Sequence, residues 1–372
     1  MRIVGPVKVH VVDPPAYTPP YDHALCAALA RHGLDVDLFT SAFAYAELPP
    51  PDGYARHELF YRHARGTGGS RVRRAAKAAE HVPDMLRYRA AAHEADIVHF
   101  QWLTLPGLDG QLLPRGRPLV LTAHDALLRE GARRRATLKR LYSRFDAVIA
   151  HSRAGAERLV TELGLSPERV HTIPHGAFTH LANQQDAPLP PELDDGARRG
   201  AVVVLYFGLL RPHKGLDVLL RAWQGVEHAE LWIVGRPRFE VAQLRAAAPP
   251  NVRWVPRFVS DAELAACFAR AELVVLPYRE IEQSGVAATA LAFGSALVLS
   301  DIGGFSELGE AGAARLVPPG DAQALRAAIV ELLADPKARE QLSAAARALA
   351  AGAASWESVA AKTAALYATL LS

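Results

Sequence analysis

Short, unbroken apolar runs recur along this chain, separated by stretches whose apolar residues fall at helical spacing. In the first half the runs predict strands at Val7–Val12, Asp35–Thr40, Asp96–Phe100, Pro118–Ala123, Asp146–Ala150 and Arg169–Ile173. A run such as Ala147–Ala150 has no polar alternation, as expected of a strand buried on both faces. Between the runs, Asp22–His32 and Arg153–Leu163 place their apolar residues as amphipathic helices do. Strand, helix, strand in repetition predicts a doubly wound parallel sheet.

The pattern breaks once and then restarts. Ala182–Arg199 holds Pro188, Pro190 and Pro191 among Asp186, Asp194 and Asp195, with no periodicity, which is linker composition. Strands are then predicted at Ala201–Phe207, Glu230–Val234, Asn251–Val255, Glu272–Leu276, Ala296–Ser300 and Ala314–Val317. From Ala322 the chain is Ala- and Leu-rich and helical, interrupted around Gly352, with a last amphipathic segment over Trp356–Leu371. The expectation is an α/β protein of two Rossmann-like domains with ligand at the carboxyl ends of the strands. The first domain would span 1–185, a linker 186–199 and the second domain 200–355. A closing helix, 356–372, would cross back to the first.

Composition supports this and narrows the class. At 372 residues the chain suits two domains, and with 50% hydrophobic and 22% charged residues it can bury two cores. Cys26 and Cys267 are too few and too far apart for a disulfide framework or a zinc ribbon. No apolar run approaches a membrane span, and no long apolar segment follows Arg2, so a cytoplasmic protein is expected. Net charge is +3, but residues 1–185 carry 24 Lys/Arg against 18 Asp/Glu, whereas 186–372 carry 18 against 21. A mildly basic first half suits an anionic surface or ligand, and no nucleic-acid module is visible.

Candidate chemistry lies mostly in the second half. No G-x-G-x-x-G follows a strand; Gly66-Thr67-Gly68-Gly69 is the nearest imitation, which counts against a nicotinamide dehydrogenase. Gly208 to Lys214 continues into Gly215 rather than Ser or Thr, so it is no Walker A loop. That segment does set Gly208, Arg211 and Lys214 between a buried strand and a helix, two cations at a strand's carboxyl end. A solvated basic turn is the plain alternative. Pro277–Val286 runs into a helix at Ala287–Phe293, where Ser284, Gly285 and Val286 would offer N–H groups to a diphosphate and Glu282 would accept from sugar hydroxyls. Ser300–Glu307 carries Gly303 and Gly304, which permit a close backbone turn.

Taken together, these segments resemble the retaining GT-B glycosyltransferases of family 4. The likeness also includes Leu121-Thr122-Ala123-His124-Asp125, Ile149-Ala150-His151-Ser152, Ile173-Pro174-His175-Gly176 and Ser355-Trp356-Glu357. It implies a transferase moving a hexose from a nucleoside-diphosphate sugar to a hydroxyl acceptor, whether glycan, lipid-linked or small molecule. It further implies retention of configuration, no cofactor and no metal. Arg211 and Lys214 match the family's basic pair on the donor pyrophosphate. Glu282 matches the first acid of its E-x7-E motif, and His124 the histidine at the reacting centre. The nucleobase would lie near Gly235-Arg236 and the turn carrying Arg257 and Phe258.

Two departures stand out. Ala290 occupies the place of the second acid, which in the family grips the nucleotide ribose. The N-terminal Gly-Gly loop is replaced by Pro14–His23, so Tyr17, Tyr21 and His23 become acceptor-side candidates, with a rigid packing loop as the alternative. Arg71–Arg74 and Arg133–Arg135 are solvated helix faces or contacts to an anionic membrane. A catalytically silent nucleotide-sugar or carbohydrate-binding protein, or a sugar-nucleotide epimerase of the same fold, are the other readings.

Overall fold

The computed structural model describes residues 5–43, 48–64, 71–124, 132–182, 187–193, 201–281 and 283–372. The chain divides into two compact units, Met1–Gly176 with Trp356–Ser372, and Ala177–Ser355.

The first unit is built on a parallel sheet of β1 (Lys8–Asp13), β2 (Asp35–Ser41), β3 (Ala55–Phe60), β4 (Ile97–Phe100), β5 (Leu119–Thr122), β6 (Ala147–Ala150) and β7 (Val170–Thr172). Its order is β3-β2-β1-β4-β5-β6-β7, reversing direction at β1. Every residue of β4, β5 and β6 is buried, as their unbroken apolar runs require. The edge strand β3 is the one the apolar pattern does not predict: Ala55-Arg56-His57-Glu58-Leu59-Phe60 buries only Phe60 fully. Ser152 caps the helix Arg153–Thr161 by accepting from the Gly155 N–H at 3.0 Å. The closing helix Trp356–Leu371 packs on the helix Pro19–Arg31 in this unit, and the Tyr367 hydroxyl meets His99 Nδ1 at 2.7 Å.

The second unit holds β8 (Val202–Phe207), β9 (Ala229–Val234), β10 (Val252–Val255), β11 (Leu273–Leu276), β12 (Ala296–Ser300) and β13 (Ala314–Val317), all parallel. Their order is β10-β9-β8-β11-β12-β13, again reversing at the first strand. The Ala-rich tail is two helices rather than one, because Asp335 accepts from the N–H groups of Lys337 and Ala338 and Pro336 opens a new first turn.

The expected boundaries need correction. Ala177–Ala182 belongs to the second unit, where the Ala177 N–H donates to the Ala354 carbonyl and the helix Thr179–Ala182 packs on Gly285–Ala292. The described part of the expected linker is anchored there too. Leu193 is buried in that core, and the Glu192 carboxylate accepts from Nε and Nη2 of Arg257. No helix among the described residues is long and apolar enough to cross a membrane.

Candidate functional site

In the first unit three histidines follow three successive strands: His124 after β5, His151 after β6 and His175 after β7. They close around the buried ring of Tyr21, whose centroid lies 4.7, 5.4 and 4.9 Å from theirs. Trp102, just beyond β4, stacks on His124 at 5.1 Å with 13° between the planes. Hydrogen bonds thread the cluster. His124 Nδ1 lies 3.1 Å from His151 Nε2, His151 Nδ1 lies 3.1 Å from the Ile173 carbonyl, and His124 Nε2 faces the Gln101 amide at 3.0 Å. Burial holds the three rings neutral: His124 is pushed well below its ordinary value, His151 to about 4 and His175 to about 3. A pocket beside His124 is lined by Gln101, Trp102, Thr122, Arg134 and Tyr142.

The loop after β1 is held by a buried carboxylate. Asp13 Oδ2 accepts from the Tyr17 N–H at 2.8 Å and the Thr18 N–H at 3.3 Å, and Trp102 Nε1 donates to Thr18 Oγ1 at 2.9 Å. Of the acceptor-side candidates, Tyr17 is exposed and meets Trp102 edge-on. Tyr21 is instead a buried packing residue of the histidine cluster, 3% exposed, and offers a substrate no surface. His23 sits on the helix Pro19–Arg31 with Nδ1 2.9 Å from the Tyr54 hydroxyl.

The second unit carries charge at its strand ends. Gly208 leaves β8 at φ 112°, where an added Cβ would lie 3.0 Å from Val286 Cγ2 and 3.3 Å from Lys214 Nζ. Gly208, Lys214 and Val286 are therefore brought together, although they come from the turn after β8 and the helix Gly285–Ala292. Gly215, at φ 67°, has no room for a side chain, since a Cβ would reach within 1.9 Å of the Pro277 carbonyl oxygen. Lys214 Nζ rests 4.9 Å above the Tyr278 ring. Among the described residues neither Arg211 nor Lys214 meets a carboxylate. Ser284 caps the helix Gly285–Ala292, accepting from the Ala287 N–H, which leaves the N–H groups of Gly285 and Val286 without intrahelical partners.

Other expected donor contacts stand differently. Arg257 has its guanidinium on Glu192 and Glu263, at 2.8 and 2.6 Å, so its charge is already matched. Phe258 is exposed. Glu282 lies outside the described residues. Ala290 is fully buried in the core of the unit, so no ribose-facing surface exists at that position.

Gln101, Trp102, His151 and His175 are the site residues that sequence reasoning gave no role. The one signal was positional: a polar or aromatic residue within three positions of the end of each of four neighbouring parallel strands.

The description Glycosyltransferase Family 4 matches residues 21–180, and Glycosyl transferases group 1 matches residues 201–335. The D-inositol 3-phosphate glycosyltransferase 1 of Catenulispora acidiphila is 30% identical over 83% of this chain and 80% of its own. An MMP alpha-(1->4)-mannosyltransferase of Mycolicibacterium hassiacum is 30% identical over 73% of this chain and 70% of its own. Among solved structures, a sucrose-phosphate synthase of Thermosynechococcus elongatus superposes with a TM-score of 0.75 at 21% identity, covering 98% of this chain and 99% of that one. Anabaena HepE in complex with UDP and glucose does so at 0.74 and 19%, covering 98% and 100%. The chain therefore belongs to glycosyltransferase family 4 and is a glycosyltransferase of the two-domain GT-B fold.

Proposed function

We propose that the enzyme transfers a hexose from a nucleoside-diphosphate sugar to a hydroxyl acceptor, with retention of anomeric configuration and without a metal. One observation carries this reading. Arg211 and Lys214 lack carboxylate partners among the described residues, at the carboxyl end of β8, beside Gly208, whose missing side chain lets Lys214 and Val286 approach, and the N-terminus of a capped helix. Unmatched cations next to free N–H groups suit a diphosphate.

The chemistry follows from where charge grows. As the glycosidic bond to the diphosphate breaks, negative charge builds on the leaving phosphate oxygen, and Arg211, Lys214 and the Gly285 and Val286 N–H groups stabilise it. The acceptor hydroxyl attacks the anomeric carbon on the face the diphosphate leaves. The departing phosphate oxygen takes the hydroxyl proton, so no enzymic nucleophile is needed. Glu282 orients the donor sugar through its hydroxyls, a role carried by the family resemblance. For the acceptor we assign the first unit, whose pocket beside His124 offers stacking by Trp102 and hydrogen bonds from uncharged groups. Relatives named for inositol phosphate and phosphatidylinositol acceptors favour a polyol bearing phosphate.

The test is a panel of nucleotide sugars with and without polyols, their phosphates and lipid-linked forms, read as nucleoside diphosphate released. Release that depends on an acceptor, survives excess EDTA and yields product of the donor's anomeric configuration is the expected result. An inverted product, or turnover lost in EDTA and restored by Mn²⁺, would overturn the mechanism. Binding of donors with no release under any condition would leave a silent nucleotide-sugar-binding protein.

A further inference from the structure

The hydrogen bonds around His124 admit only one arrangement of protons if the rings are neutral. The Ile173 carbonyl can only accept, so His151 must carry its proton on Nδ1. A neutral His151 then has a bare Nε2, which must accept, and the donor 3.1 Å away is His124 Nδ1. With its proton on Nδ1, His124 is left with a bare Nε2. That nitrogen faces Gln101, whose amide is placed with Oε1 toward the ring at 3.0 Å and with its Nε2 buried and unpartnered. Turning the amide over puts its NH₂ on His124 Nε2 and leaves the oxygen without a partner, the better-tolerated of the two orphans.

The reverse order fails at its end. If Gln101 Oε1 accepted from His124 Nε2, then His124 Nδ1 would have to accept from His151 Nε2. His151 Nδ1 would then set a lone pair against the Ile173 carbonyl at 3.1 Å. Burial, which keeps both rings uncharged, removes the remaining escape of a shared extra proton.

We infer that His151 is a positioning residue for the transfer reaction: it draws the His124 proton onto Nδ1 and so makes His124 Nε2 a hydrogen-bond acceptor toward Gln101 or a substrate hydroxyl. The direction matters chemically. An acceptor nitrogen receives a hydrogen bond from a substrate hydroxyl beside the attacking one, whose own proton goes to the departing phosphate, whereas an N–H at the same place could only donate to an oxygen lone pair. Gln101 holds Nε2 in this structure, and a substrate hydroxyl takes its place in turnover. This deepens the proposed reaction and rests on His124 acting at its centre.

Two measurements test it. Long-range ¹H–¹⁵N spectra of the wild-type enzyme at pH 7, with His124 and His151 assigned from single-histidine variants, should show the proton on Nδ1 in both rings. A proton on Nε2 of either ring overturns the inference without relying on a mutant's fold. In kinetics, His151→Leu should lower kcat about 10- to 100-fold, the usual cost of a misplaced group near the reacting centre, with the donor KM unchanged. His151→Gln, whose side-chain oxygen can accept from His124 Nδ1, should recover most of the loss. If His124→Leu is inactive while both His151 variants turn over like wild type, His151 has no positioning role and the proposed reaction stands. If His124→Leu is fully active, His124 leaves the reaction and the role of His151 falls with it.

Discussion

The two units share one plan and differ at their strand ends. Both sheets are wholly parallel and reverse their order at the first strand, yet the loops beyond them gather opposite kinds of group. The first unit collects buried, neutral rings: His124, His151, His175, Tyr21 and Trp102. The second collects glycines at positive φ, a helix N-terminus and the cations Arg211 and Lys214. Neutral hydrogen-bonding rings suit a hydroxyl, and unmatched cations suit a phosphate. Sheet topology is thus indifferent to chemistry, and a few loop residues set it.

Acid should separate the units most sharply. In the first, burial pushes His10 and His151 to about 4, His99 and His175 to about 3, and His124 well down. Unfolded, each titrates near 6.5, so below that pH the unfolded chain gains protons that the folded unit refuses, and stability falls as pH drops from 6.5 toward 4. Asp13, raised by burial to about 6, and Asp22, raised further, act in the opposite sense. Their contribution is full below the unfolded carboxyl range and is lost as pH rises through their folded values. With His171 also lowered by burial, the histidines outnumber these two carboxylates, and the unit loses stability on balance. In the second unit Glu263, lowered to about 2 by Arg257, loses its contribution only below about 4.5. Hydrogen exchange at pH 7.5 and pH 5 should therefore show peptides of the first unit losing protection first. Equal loss in both units would break the contrast.

Ala290→Glu comes next. The family resemblance suggests that an acid here would grip a ribose, but the side chain lies wholly inside the second unit. A carboxylate there would be buried without a partner, which typically costs about 3–5 kcal/mol. Urea unfolding should show that loss, with no tighter binding of ribonucleotide donors. A variant as stable as wild type that prefers ribose to 2′-deoxyribose would show that this helix turns its face on binding.

Much of this was legible in the sequence because the strands are buried on both faces and read as unbroken apolar runs. The exception, β3, is an edge strand whose Arg56, His57 and Glu58 hide it. The unit boundary was misplaced because Pro and Asp composition resembles a linker, while what anchors Glu192 is an arginine distant in sequence, Arg257. The placing of Gly208, Arg211, Lys214 and Ser284 at a strand end and a helix start was legible because glycine turns, cations and caps leave local marks. The histidine cluster left only a hint, since pairing His124 with His151 needs the order of strands β5 and β6.

Lys214→Ala should lower kcat by about 10²-fold, or about 2.7 kcal/mol, because the leaving diphosphate carries its largest charge in the transition state. The donor KM should change less, and the melting temperature little, since Lys214 is half-exposed and its ammonium rests on the Tyr278 ring, with no ion pair among the described residues. Initial rates beside a thermal melt decide it. An unchanged kcat in a folded variant would make Lys214 an ordinary surface charge and remove the main distinction of the second unit.

Arg257→Ala should do least, and its smallness sharpens the point. Arg257 and Lys214 are both cations of the second unit, but Arg257 is held by two carboxylates, Glu192 and Glu263. Those partners keep its charge matched and its fork occupied, so a diphosphate would have to compete with them for every N–H. Among the described residues Lys214 has no carboxylate to displace. Exposed ion pairs of this kind contribute at most about 1 kcal/mol, and a second consequence is local: Glu192 would lose its anchor while Glu263 keeps its cap on Ser260. Turnover and donor KM should stay within about twofold of wild type, a shift of under about 0.5 kcal/mol. A large rise in donor KM would mean that donor binding frees Arg257 from its carboxylates, and the cations of this unit would then have to be counted with the ligand in place.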